Sequence, residues 1–203
     1  MRGAVNDLIA IEKELSAKSV MYKRGELKLV IISDFDDTLF DVTKSIHMAT
    51  EEIKGRRMSK YAVHELPQAE RAVIYTKAYT KYDHTLKPNT TLIDFYRTMY
   101  DLGAHIIVVS ARRENLRAKT EAKLKKHGIK FKEVILRPER GRATNVSLEE
   151  WKARRVGDIM KKYNAALLFD DMRYIIDHIK EKRKRIAVRY FLVKYPNEIT
   201  EIK

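Results

Sequence analysis

Short unbroken apolar runs alternate along the chain with stretches whose apolar residues recur at helical spacing. Residues 29–32, 106–109 and 165–169 each read as a strand buried on both faces of a parallel sheet. Residues 129–136 and 185–193 read as two further strands. Between them, helical spacing predicts a helix over 4–23, with Leu8, Ile11, Leu15 and Val20 on one face and Gly25 as its stop. Thr43 reads as the cap of a helix ending at Gly55, and Pro67 opens another over 68–82, whose Tyr75, Tyr79 and Tyr82 read as packing residues. Pro88 opens a helix over 89–102 closed by Gly103, and a basic helix ends at Gly128. Ser147 with Glu150 forms a capping box for a helix through Tyr163, and a last helix covers 174–181.

This alternation predicts an α/β fold, a Rossmann-like parallel sheet with helices on both faces. No strand signal interrupts 41–87, so that segment reads as a small helical insertion and the core as 1–40 together with 88–203.

Composition changes the picture in one respect. The 203 residues carry 42 Lys and Arg against 28 Asp and Glu, a formal net charge of +14. Such a surface draws polyanions, so nucleic acid is among the expected partners, beside an anionic substrate generally. There are no cysteines, hence no disulfide framework and no thiolate metal site. No apolar run approaches the length that spans a bilayer and no signal-peptide core is evident, so a cytoplasmic location is expected.

The candidate chemistry sits where the strands end. The first runs straight into Asp34, Asp36 and Asp37, followed by Thr38. Three carboxylates in four residues resist burial without a compensating cation. The second strand ends at Ser110 and the third at Asp170 and Asp171, and in a parallel sheet these ends share one edge, where α/β proteins bind ligands. Lys152 lies near the start of the helix before the third of these strands; Lys161 and Lys162, near that helix's end, are rival ammonium groups. A calcium loop is disfavoured, because Leu39 stands where the EF-hand needs Gly and Ser45 where it needs Glu.

In order and spacing this set resembles the haloacid dehalogenase-like (HAD) phosphohydrolases. Asp34-Phe-Asp36-Asp37-Thr38 is similar to their Asp-x-Asp-x-Thr signature, and Ser110, Lys152 and Asp170-Asp171 to their second, third and fourth motifs. The resemblance implies a phosphatase with a type-1 helical cap over 41–87. Asp34 would be the nucleophile that forms an aspartyl-phosphate, and Asp36 the acid and base. Ser110 and Lys152 would steady the phosphoryl group. Mg²⁺ would be held by Asp34, the Asp36 carbonyl and Asp170 or Asp171, while Thr38 orients the loop or the Asp36 backbone and Asp37 only points outward or supports the loop.

Arg112 and Arg113, directly after Ser110, are candidate phosphate clamps. Arg137 and Arg142 lie in a basic loop before Lys152, and the stretch 137–152 loosely resembles the phosphatase part of polynucleotide kinase-phosphatases. Action on nucleic-acid ends or nucleotides is therefore one expected version. A non-catalytic nucleic-acid-binding module and a phosphotransferase on the same scaffold are the competing readings. The six histidines lack metal-ligand spacing, and the basic run 180–185 reads as a solvated helix end.

Overall fold

The computed structural model describes residues 2–139, 145–182, 187–194 and 198–202. The chain forms two compact units, Met1–Leu39 with Asn89–Lys203, and Phe40–Pro88. The first holds a six-stranded sheet built from β1 (Leu29–Ser33), β4 (His105–Arg113), β5 (Glu133–Arg137), β6 (Ala165–Asp170), β7 (Ala187–Lys194) and β8 (Glu198–Ile202), in the order β5-β4-β1-β6-β7-β8. All neighbours are parallel except β7 and β8. The antiparallel edge strand β8 is absent from the expected set. β4 runs three residues past Ser110, with a register shift between Ser110 and Arg113.

β1 is buried along its whole length because helices cover both sheet faces. On one face Val30, Ile32, Ile107, Val109 and Leu168 pack with Trp151, Val156, Ile175 and Ile179 of α8 (Leu148–Met160) and α9 (Arg173–Lys182). This unit also holds α1 (Arg2–Ser16), α2 (Ser19–Lys23), α6 (Thr90–Asp101) and α7 (Arg117–Lys126). Phe169 stacks on Phe191 at 4.7 Å and meets Phe95 and Tyr96 of α6 edge-on or tilted.

Local chemistry accounts for several departures from the expected elements. The first helix breaks at residues 17–18, which turns Val20 outward to 57% exposure and buries Tyr22 instead. The capping box at α8 is half formed. Ser147 Oγ accepts from the Glu150 amide, but the Glu150 carboxylate turns to Arg154 and His178.

Gly103 ends α6 at φ 103°, and a Cβ there would lie 3.1 Å from Tyr22 Cβ and 3.2 Å from the Lys23 amide nitrogen. Both backbone conformation and space therefore demand glycine. Gly103→Ala is expected to cost about 1–3 kcal/mol, read as a lowered urea midpoint at unchanged m-value.

The second unit is mostly helical: α3 (Thr43–Lys54), α4 (Lys60–His64) and α5 (Gln68–Thr80). Two features depart from the sequence reading. A two-residue antiparallel ribbon joins β2 (Phe40–Asp41) to β3 (Lys87–Pro88), so strand pairing is present after all. Thr43 is the first helical residue rather than the cap, and its amide donates to Asp41 Oδ1 at 2.8 Å. Tyr75 and Tyr79 stack at 5.7 Å, and Glu52 gathers Lys77, Lys81 and Tyr82. Among the described residues no helix is long and apolar enough to cross a membrane.

Candidate active site

β1 leaves the sheet through a single tight turn. The Asp34 amide donates to the Phe169 carbonyl at 2.9 Å, which keeps Asp34 in line with β6. The Leu39 amide then closes back on the Phe35 carbonyl at 3.0 Å. Within the turn Asp37 adopts φ 60°, a left-handed conformation that aspartate tolerates better than most residues. The third carboxylate of the cluster thus shapes the turn, while Asp34 and Asp36 are buried on its inner side.

Ser33 pairs with Val108 on β4 and with Phe169 on β6, so Ser110 and Asp170 emerge beside Asp34 at the same sheet edge. Lys152 bridges two of these groups, 3.0 Å from Asp34 Oδ1 and 2.6 Å from Asp170 Oδ2. Burial works against its charge, but the Asp170 and Asp34 carboxylates outweigh it and push the ammonium's pKa well up. Asp170 Oδ1 accepts from the Met172 amide at 2.9 Å, which fixes that carboxylate's rotation. Lys152 is 3% exposed, whereas Lys161 and Lys162 face solvent.

Oxygens of Asp34, Asp170 and Asp171 lie within 4.8 Å of one another. Burial, joined by repulsion from Asp171 and Asp36, pushes the Asp34 carboxyl up to about 6 despite Lys152. Burial, opposed by Lys152, also raises Asp170. An all-oxygen set that is costly to ionise by itself fits a hard divalent cation.

Asp34 binds its proton more tightly folded than unfolded, so its contribution to stability, present at low pH, is lost as pH rises from 3.8 through about 6. Without metal, wild type is therefore expected to lose stability relative to Asp34→Asn over that window, by on the order of 3 kcal/mol. Added Mg²⁺ should recover the loss. Urea midpoints of both proteins at several pH values, with chelator and with Mg²⁺, check this. A wild-type-minus-variant difference that is flat with pH in chelator would contradict it.

Arg112 departs from its expected place as a phosphate clamp. Its guanidinium is buried against the Asp36 carboxylate, with Nε at 3.1 and 3.0 Å from the two oxygens and Nη2 at 2.8 Å from Oδ1. It also lies 4.2 Å from the Phe35 ring centroid. The fork of donors holds Asp36 in one orientation. The Arg112 amide in turn donates to Ser110 Oγ at 3.2 Å.

Arg113 and Arg137 are likewise turned to backbone, donating to the Pro138 and Val146 carbonyls at 2.7 Å each. They thereby tie the two ends of the loop after β5. Burial, aided by Arg113, lowers the Arg137 pKa. Arg142 lies outside the described residues, as does the end of the basic run at 183–185.

Thr38 is fully buried, and its carbonyl accepts from Asn89 Nδ2 at 3.2 Å. Asn89 escaped the sequence reading. Besides holding Thr38 it caps α6 through the Leu92 amide and donates its own amide to the Leu39 carbonyl at 2.8 Å. Its one sequence signal was an Asn directly ahead of an apolar helical run.

A family model described as HAD superfamily, subfamily IIIB (acid phosphatase) matches residues 3–199. Among solved structures, a chain of the Pnkp1/Rnl/Hen1 complex is similar with a TM-score of 0.53 at 19% identity, over 85% of this chain and 48% of that one. A structure described as the Pnkp1/Rnl/Hen1 RNA repair complex gives 0.51 at 18%, over 85% and 44%. The chain thus spans about half the length of these two relatives. YfnB from Bacillus subtilis, solved bound to magnesium, gives 0.51 at 11% identity over 80% of this chain and 87% of that one. At such identities these likenesses concern the fold. No curated protein sequence matches the chain.

Proposed function

The chain belongs to the HAD superfamily, subfamily IIIB, the acid phosphatase family, and from that premise we propose that this phosphomonoester hydrolase works by passing the phosphoryl group to Asp34 and then to water. The observation that carries this reading is the buried Asp34 carboxylate, held between Lys152 and the Asp170–Asp171 pair at the carboxyl edge of the sheet.

An Asp34 oxygen attacks phosphorus in line with the leaving alcohol, the ester P–O bond breaks, and an acylphosphate forms. Asp36, held in place by Arg112, gives a proton to the leaving oxygen and later takes one from the water that cleaves the acylphosphate. The Ser110 hydroxyl donates to a phosphoryl oxygen, and Lys152 balances the charge that develops there. Asp34, Asp170 and Asp171 would hold Mg²⁺, whose charge offsets repulsion between carboxylate and phosphate. The helical unit Phe40–Pro88 interrupts the chain between Asp34 and Ser110, and in this reading it selects the substrate.

Release of phosphate from an aryl phosphate, dependent on Mg²⁺ and lost with chelator, tests this reading; metal-independent turnover would sink it. The sharper version, a phosphatase for nucleic-acid ends, is supported by the charge of +14 and by the RNA repair setting of one structural relative. A substrate panel should then favour 3′- or 5′-phosphorylated oligonucleotides over sugar phosphates, with binding that weakens steeply with salt. Preference for sugar phosphates would leave the phosphatase reading intact and exclude this version.

A further inference from the structure

The strands that deliver the catalytic groups at one edge of the sheet carry a second set of charged groups at the other. Lys28 directly precedes β1, His105 opens β4, and Tyr163 lies two residues before β6. Together with Lys132, Arg155 and Lys162 these line a cleft of about 570 Å³. We propose that this cleft is a second, non-catalytic site that binds a phosphate-bearing small molecule.

The charge balance points to an anion. Four cationic side chains line the cleft against the two carboxylates of Glu133 and Asp158. Among the described residues, no carboxylate lies within ion-pair distance of Lys28, Lys132 or Lys162. Arg155 is 3.7 Å from Asp158, yet its Nε is buried with no hydrogen-bond partner among the described residues. Burial, with Lys132 and Lys28 nearby adding to it, holds the His105 imidazole below its usual range.

The cleft is also built rather than incidental. The Lys28 carbonyl accepts from the Asn164 amide at 2.9 Å, and its amide donates to Asn164 Oδ1 at 2.9 Å. The Lys132 amide donates to the Ile106 carbonyl at 2.7 Å. Two of the lysines therefore rise from backbone locked to the sheet. His105 Nδ1 lies 3.0 Å from the Tyr163 hydroxyl, with the rings perpendicular at 5.6 Å. That pair offers a rigid aromatic wall beside the cations. The volume falls in the small-molecule range, and a concave cleft suits a compact ligand better than a nucleic-acid strand.

The shared chemistry is a phosphate dianion, whose source is free phosphate or a nucleotide with its base against the aromatic pair. The test follows the His105 imidazole NMR signals during titration with inorganic phosphate in wild type and with adenosine monophosphate in Asp34→Asn. A saturable His105 shift is expected, and the Lys28→Ala/Lys132→Ala double variant should weaken it at least about tenfold while aryl phosphate turnover stays unchanged. Tighter binding of the nucleotide identifies that source; equal affinities identify phosphate. The proposal is overturned if neither anion moves His105 up to roughly 10 mM, if the double variant binds as wild type, or if only an oligonucleotide produces the shift. Because turnover is measured separately, failure here leaves the assignment of Asp34 untouched.

Discussion

Asp34→Asn is expected to lower phosphate release by at least about 10³-fold, because the variant keeps the shape of the side chain and removes the attacking oxygen anion. The fold should persist. The lost charge is one that burial and the neighbouring Asp171 and Asp36 already disfavour, so neutral asparagine relieves repulsion at the sheet edge. Lys152 keeps its contact with Asp170 at 2.6 Å, which leaves the ammonium paired. Steady-state turnover of an aryl phosphate with Mg²⁺, beside a urea melt at pH 7, separates the two effects. Activity within a few-fold of wild type would remove Asp34 from the chemistry, and an unfolded variant would be answered by Asp34→Glu, which keeps the carboxylate but moves it by a methylene.

Arg112→Ala carries the largest expected cost in stability. It strands the Asp36 carboxylate in a buried setting without its fork of donors, a change worth about 3–5 kcal/mol when one partner of a buried pair is removed. Turnover should fall as well, since Asp36 would no longer be held in one orientation. Arg112→Lys should recover only part of either, because a point charge cannot reproduce three contacts to one carboxylate. Combining Arg112→Ala with Asp36→Asn provides the check. If the two groups act as a pair, the double variant is more stable than the sum of the single losses predicts, by about 1–3 kcal/mol. Strict additivity would show that the pair contributes nothing of its own.

These residues also mark what was legible beforehand. Strand ends were readable because an apolar run has one meaning when polar groups follow it at once. Asp34, Ser110 and Asp170 are therefore placed on one edge by the sequence alone. The partner of Arg112 could not. An arginine two residues after Ser110 reads as an open clamp, and its link to Asp36 spans 76 residues of chain. Asn89 is a similar case, since its cap role is local while its hold on Thr38 crosses 51 residues.

Lys152 is separated from Lys161 and Lys162 by the end of the helix that each occupies: α8 starts beside the strand ends that carry the site and closes at Met160, so Lys161 and Lys162 fall past its far end. The break after Ser16 has neither Gly nor Pro to announce it, which is why helical spacing alone places Val20 on the wrong side. β8 has no clear signal, because five residues of mixed polarity at an edge give too short an alternation to stand out.

Passage of the phosphoryl group through Asp34 before it reaches water is reported directly by the stereochemical course at phosphorus. Each in-line displacement inverts phosphorus, so transfer to Asp34 followed by hydrolysis must return the starting configuration. With a phosphorothioate monoester made chiral by sulfur and two oxygen isotopes, and hydrolysed in water carrying the third isotope, retention in the thiophosphate product is the predicted result. Inversion would mean that water attacks the substrate directly, and would contradict a covalent role for Asp34.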